Sequence, residues 1–333
     1  MRKHNLHIGK AGAAILAAAF LFSAAACQTS DSTRQTSAAG SEPAVSETAS
    51  GTAAETNTPE TESQTVPAET GTASEETTDG STPVSADSLL ESNQNTAIRV
   101  SITTEQKQYP EDGTPRLETS VDSIRIADSG YDTLQAALNQ DSREQAQLTA
   151  DEAGSLIADP YMEETAETGE TAVQDTPLYA LSSTVVMKRA DDRIFSYLRS
   201  SYSYTGGAHP NTYLSGYTFD TASGNQLRLT DIAADYDGLY EYVCSMLETY
   251  ARNPDYPFFD GYEDTVREVF YGASASDDAE NTNPDAATVQ WFMDDTGVTI
   301  LFNAYDLGPY AMGAVAVPVP FAQQSALFID GLD

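Results

Sequence analysis

The chain has 333 residues and a formal net charge of −35, from 51 acidic and 16 basic side chains. That balance argues against DNA, RNA or an anionic lipid surface as partner, because phosphate contacts need clustered Lys and Arg; it favours cationic partners and solubility. The two cysteines, Cys27 and Cys244, and three histidines form no metal-binding spacing, so no cofactor or metal is expected.

The first ten residues, MRKHNLHIGK, are basic and precede an apolar run from Ala11 to Ala26. This is the pattern of a secretory signal, and sixteen apolar residues fall short of the roughly 20 that span a bilayer. Ala24-Ala25-Ala26 directly before Cys27 resembles a bacterial lipobox, with Ala24 where Leu is usual. The expectation is a signal peptide over 1–26 and a lipidated Cys27, giving an extracellular protein held at the bacterial cell membrane by that lipid anchor alone.

Residues 27–95 carry Ser, Thr, Ala, Glu, Gly and Pro, and no aromatic residue stands between Phe22 and Tyr109. Such a stretch cannot bury a core and reads as a disordered acidic linker. A small β-rich module with a helix is expected over 96–176. TAIRVSITTEQKQY and RLETSVDSIRIA, separated by PEDGTP, predict a hairpin, and YDTLQAALNQ starts a helix. The acidic stretch MEETAETGETAVQDT shows no apolar period.

The second module, 177–333, opens with PLYALSSTVVMKR and IFSYLRSSYSY, two strand-like runs joined by ADD. Tyr213, Ser215, Tyr217 and Phe219 alternate as a third strand, TASGN turns the chain, and QLRLTDI is expected to close the meander as a strand. Helices are expected over about 237–252 and 263–271, broken by Pro254 and Pro257, with Asp237 as the first one's cap. Cys244 lies beside the apolar stripe of that helix and reads as a buried structural thiol. TVQWFMD, VTILFNAY and AVAVPVPF complete the strands. Strands, helices, strands in that order predict an α+β fold, an antiparallel sheet packed by two or more helices and preceded by the smaller β-rich module.

His209 sits in SYTGGAHPNTY, the one histidine after residue 7. Gly206 and Gly207 suit positive φ and Pro210 holds His209 extended, which describes a sharp connection between strands. Chemistry at His209 would need a serine or carboxylate brought in by the fold, the reading of a cell-wall hydrolase or esterase. Eighteen tyrosines, many within 197–217 and 305–310, suggest instead an aromatic surface for protein or glycan ligands.

Two stretches carry a family likeness. GGAH at 206–209 followed by YTFDTASGNQLRLTDI from Tyr217 to Ile232, and VTILFNAYDLGPYAMG from Val298 to Gly313, resemble the RsiV/PdaC-like extracellular domain family. Its Tyr-x-x-x-Pro-Tyr-x-x-Gly segment is matched by Tyr305, Pro309, Tyr310 and Gly313. The likeness covers roughly 177–328. It implies a non-catalytic binding module whose partner is a lysozyme-like cationic protein or peptidoglycan, with a rim formed by His209, Tyr204, Tyr213, Tyr305 and Tyr310. Ten residues ahead of the apolar run leave no room for a sigma-binding region, and no deacetylase catalytic domain follows, so neither output is expected here.

Overall fold

The computed structural model describes residues 84, 86–93, 96–110, 115–158, 179–272 and 283–332, all within one compact unit. Cys27, the expected signal segment and most of the expected linker lie outside the described residues. Five strands form one sheet in the order β1 (Val100–Tyr109), β2 (Leu117–Ile126), β3 (Tyr179–Ala190), β4 (Ile194–Tyr204) and β5 (Asn211–Asp220). Three more, β6 (Gln290–Met293), β7 (Gly297–Phe302) and β8 (Val315–Pro320), make a second sheet. The fold is α+β, as the order of elements predicts. One join departs from an all-antiparallel arrangement: β2 and β3 run parallel, Leu117 beside Tyr179 through Val121 beside Ser183. Parallel neighbours need a long crossover, and the helix begun by YDTLQAALNQ supplies it by continuing from Asp132 to Ile157.

Alternation along the strands sorts side chains into layers. On β3 and β4, Val185, Met187, Phe195 and Tyr197 face α2 (Asp132–Ile157), packing with Leu134 and Leu138. Val186 and Leu198 point the other way and meet Phe292, Leu301 and Ala316 of the small sheet, with Leu89 of α1 (Ala86–Leu89) filling the same layer. The outer face of the small sheet, Trp291, Met293, Ile300, Val317 and Val319, is covered by Leu239, Val243, Leu247 and Val266. These come from α4 (Tyr236–Ala251) and α5 (Tyr262–Tyr271), so the order is helix, sheet, sheet, helices. Each fully buried Leu or Val on α4 contributes roughly 1.5–3 kcal/mol.

The two sheets touch most closely where β5 crosses β6. A Cβ on Gly216 would overlap the backbone carbonyl of Trp291, so no other residue fits there. Ser196 Oγ accepts the Met293 N–H at 3.0 Å and shares a hydrogen bond with Thr218, a polar stitch through the same layer.

Two local expectations are corrected. QLRLTDI contributes one bridge, Gln226 to Phe219, and then the short helix α3 (Leu229–Ile232), whose N-terminus is closed by Asp231 accepting from the Arg228 N–H. Helix α4 is capped by Asp235, which accepts the Gly238 N–H at 2.9 Å, while Asp237 accepts from Tyr271 Oη. Cys244 is free and half-buried on α4, and burial pushes its thiol pKa up.

Candidate functional site

The β4–β5 connection and the segment after β7 meet at one end of the small sheet. Gly206 takes φ +82°, and its backbone passes over Tyr179, leaving a side chain little room. The chain can therefore reverse within six residues and present His209 on the exposed side of the turn.

The His209 ring stacks on Tyr310, centroids 3.7 Å apart and planes 17° off parallel. Both are anchored on one acceptor: Tyr310 Oη donates to the Pro210 carbonyl at 2.7 Å, and His209 Nδ1 lies 3.0 Å from the same oxygen. A carbonyl only accepts, so the proton of a neutral ring sits on Nδ1 and Nε2 is left as acceptor. Tyr305 Oη stands 3.5 Å from that Nε2, at the limit of a hydrogen bond. The Tyr305 and Tyr310 rings are 5.7 Å apart at 37°, within aromatic pairing range.

Tyr305 is 55% exposed and is held at φ +75°, the one non-glycine with positive φ among the described residues. The left-handed region costs a tyrosine of order 1–3 kcal/mol, so the surrounding turn must impose it. That turn closes through Asp306 Oδ2, which accepts the Asn303 N–H at 2.6 Å, and through the Asp306 N–H to Asn303 O at 3.0 Å. Burial raises the Asp306 carboxyl pKa, and the Asn303 N–H opposes that rise.

Asn303 fixes the turn to the large sheet. Its side chain is 3% exposed; Oδ1 accepts the Leu214 N–H at 2.7 Å and Nδ2 donates to Leu214 O at 3.1 Å. An amide thus replaces the neighbouring strand that β5 lacks at its edge. Asn303 also hydrogen-bonds the Tyr213 hydroxyl, whose pKa is raised by burial and by Asp306. Sequence reading missed Asn303; the available signal was an amide ending an apolar strand directly before a Tyr-Asp turn.

Of the five expected rim residues, His209, Tyr305 and Tyr310 form one cluster. Tyr213 joins it through Asn303. Tyr204 ends β4 opposite Ala180, and no ring contact among the described residues joins it to His209, Tyr305 or Tyr310. The loop from Pro254 to Tyr262 borders the cluster, with Phe259 N–H donating to Leu307 O at 2.8 Å. Phe259 is 44% exposed beside an open cleft of about 440 Å³ that Tyr256, Pro257, Phe258 and Tyr262 also line. Asp260 and Glu263 add carboxylates to that lining.

Chemically the cluster offers aromatic faces, an imidazole and nearby carboxylates. Among the described residues, no group of three or more His, Cys, Asp or Glu is placed to hold a metal ion, and no helix is long and apolar enough to cross a membrane.

Residues 258–322 match the model of a family described as a protein of unknown function, DUF3298, and residues 114–212 match that described as deacetylase PdaC. Tyr305 and Tyr310 fall in the first stretch, Tyr204 and His209 in the second. No curated protein sequence matches the chain. Among solved structures, a DUF3298 family member from Bacteroides fragilis NCTC 9343 is 19% identical, covering 71% of this chain and 95% of its own, with a TM-score of 0.47. A DUF3298 family protein from Pseudomonas aeruginosa PAO1 is 12% identical over 70% of this chain and 95% of its own, with a TM-score of 0.40. The chain is therefore similar, over two separate stretches, to the DUF3298 and PdaC family models, and its aromatic cluster is assembled from one residue set in each.

Proposed function

We propose that the chain is a cell-envelope lipoprotein whose folded part is a non-catalytic binding module for a lysozyme-like cationic protein, with cell-wall glycan as the second ligand class. The observation that carries this reading is Tyr305, largely exposed and held in an unfavourable backbone conformation beside the stacked His209–Tyr310 pair. Strain kept at an exposed aromatic residue points to use of that residue. Aromatic faces take Lys and Arg side chains by cation–π attraction, and the chain's acidity speeds encounter with a basic partner.

Calorimetric titration with lysozyme tests the first ligand class. Binding that weakens as salt rises, and that Tyr305→Ala and Tyr310→Ala reduce by tenfold or more, is expected. Absence of binding to lysozyme and to other basic muramidases removes the cationic-protein reading. Sedimentation with purified peptidoglycan tests the glycan arm. Release of muropeptides or acetate that disappears in His209→Ala would instead establish a wall hydrolase or esterase.

A further inference from the structure

Among the described residues, the outer edge of the large sheet is open. Strand β1 pairs with β2 in unbroken antiparallel register from Val100 opposite Ile126 to Tyr109 opposite Leu117, and every residue from Ser101 to Gln108 is exposed. The groups that point outward follow from the ladder. Gln135 of α2 accepts the Ile126 N–H with Oε1 at 2.7 Å and donates to Ile124 O with Nε2 at 3.1 Å, so these β2 groups face away from β1. Their partners Val100 and Ile102 stand at the non-hydrogen-bonded positions and turn their own N–H and C=O away from β2. The Ala127 N–H donating to Arg99 O at 2.9 Å fits the same phase. Ile102, Thr104, Gln106 and Gln108 therefore line the free edge.

Two other stretches of backbone edge are bridged by side chains: Asn303 on Leu214 of β5, and Gln135 on Ile124 and Ile126 of β2 beyond the reach of β3. Among the described residues nothing closes β1. An open edge this long is a template for another strand.

We propose that β1 pairs antiparallel with β1 of a second copy of this chain, about a two-fold axis at Gln106. Outward groups meet only where even-numbered residues face even-numbered ones, which this axis satisfies: Gln106 faces itself and Thr104 faces Gln108. It also sets Glu105 opposite Lys107 of the second copy, and Lys107 opposite Glu105. These two side chains now pair within one strand at 2.9 Å, so two copies exchange that pairing without leaving a charge unmatched. An axis at Glu105 would put two carboxylates face to face, a destabilising arrangement. Thr103 against Tyr109 completes the face with a β-branched and aromatic pair. The sheet would then run continuously through both copies.

The test uses the full chain. Gln106→Cys should form an interchain disulfide under mild oxidation, since facing Cα atoms in such a pair lie about 5.5 Å apart, whereas Lys107→Cys, which faces Glu105, should not. The parent chain, with Cys27 and Cys244, sets the background. Residue-resolved amide exchange should show Ile102, Thr104, Gln106 and Gln108 protected at high protein concentration and losing that protection on dilution. Gln106→Pro removes an outward N–H that an edge strand does not use internally, so its thermal unfolding should match the parent while the concentration-dependent protection is lost. Equal cross-linking by Lys107→Cys, absence of protection at any concentration, or protection that survives dilution, which would place a segment of the same chain on the edge, overturns the proposal.

Discussion

At the residue scale the site is a contest between backbone preference and what its neighbours impose. Tyr305 holds φ +75° because Asn303 and Asp306 close the turn from both sides, not because tyrosine favours it. Tyr305→Gly should leave thermal stability unchanged or raise it by up to about 1 kcal/mol, while lysozyme titration shows binding reduced at least tenfold. A clear fall in stability would make the ring a structural element. Asn303→Ala should do the reverse. It strips partners from the Leu214 N–H and C=O, at roughly 1–3 kcal/mol for each group left unpaired, and denaturant unfolding should read that loss directly. The difference in legibility between these residues is physical. His209, Gly206 and Pro210 are neighbours whose chemistry names a turn. The partnership of Asn303 with Leu214 spans 89 positions and leaves no local pattern.

At the element scale, the strands were readable because their two faces meet different layers. Ile300 and Phe302 face the helices while Leu301 faces the large sheet, which is the period-two alternation the sequence displays. The part of α2 from Asp141 onward was not readable because the face it buries is partly polar. Asp141 and Ser142 are buried there, and Asp141 accepts from Arg199 at 2.5 Å and from Tyr197 Oη at 2.8 Å. Arg199 is 1% exposed and also donates to Ser183 Oγ, so β3, β4 and α2 share one ion pair beneath the sheet. QLRLTDI misled for the opposite reason: Leu227 and Leu229 alternate like strand residues, yet the chain has passed the end of β5 and only Gln226 finds a bridge. Asp141→Ala should cost about 3–5 kcal/mol, because it leaves Arg199 buried without its carboxylate. At about 2–4 °C per kcal/mol for a domain of this size, the melting temperature should fall by roughly 10 °C. The double variant Asp141→Leu with Arg199→Met should recover most of the loss in the same scan, and a double variant no better than the single would show that the pair holds the fold by more than charge balance.

At the scale of the whole molecule, the parallel join of β2 to β3 makes one sheet out of strands on both sides of the segment around 159–178, which local hairpin signals could not announce because parallel pairing has no turn of its own. Charge acts at this scale as well, and it acts on folding and on binding in opposite senses. With −35 on 333 residues the folded chain repels itself, and unfolding relieves that repulsion by moving like charges apart. Salt screens it: the Debye length shortens from about 10 Å at 0.1 M to about 3 Å at 1 M. The melting temperature should therefore rise as sodium chloride is increased over that range. Attraction to a cationic ligand is screened by the same ions, so the lysozyme dissociation constant should increase over the same series. Measured together on one preparation, rising stability with falling affinity separates electrostatic recognition from a salt-induced loss of structure, because a ligand lost through partial unfolding would require both quantities to fall. Affinity that stays constant while stability climbs would move the recognition onto the aromatic faces of Tyr305, Tyr310 and His209 acting without net charge attraction, and with it favour a glycan over a cationic protein.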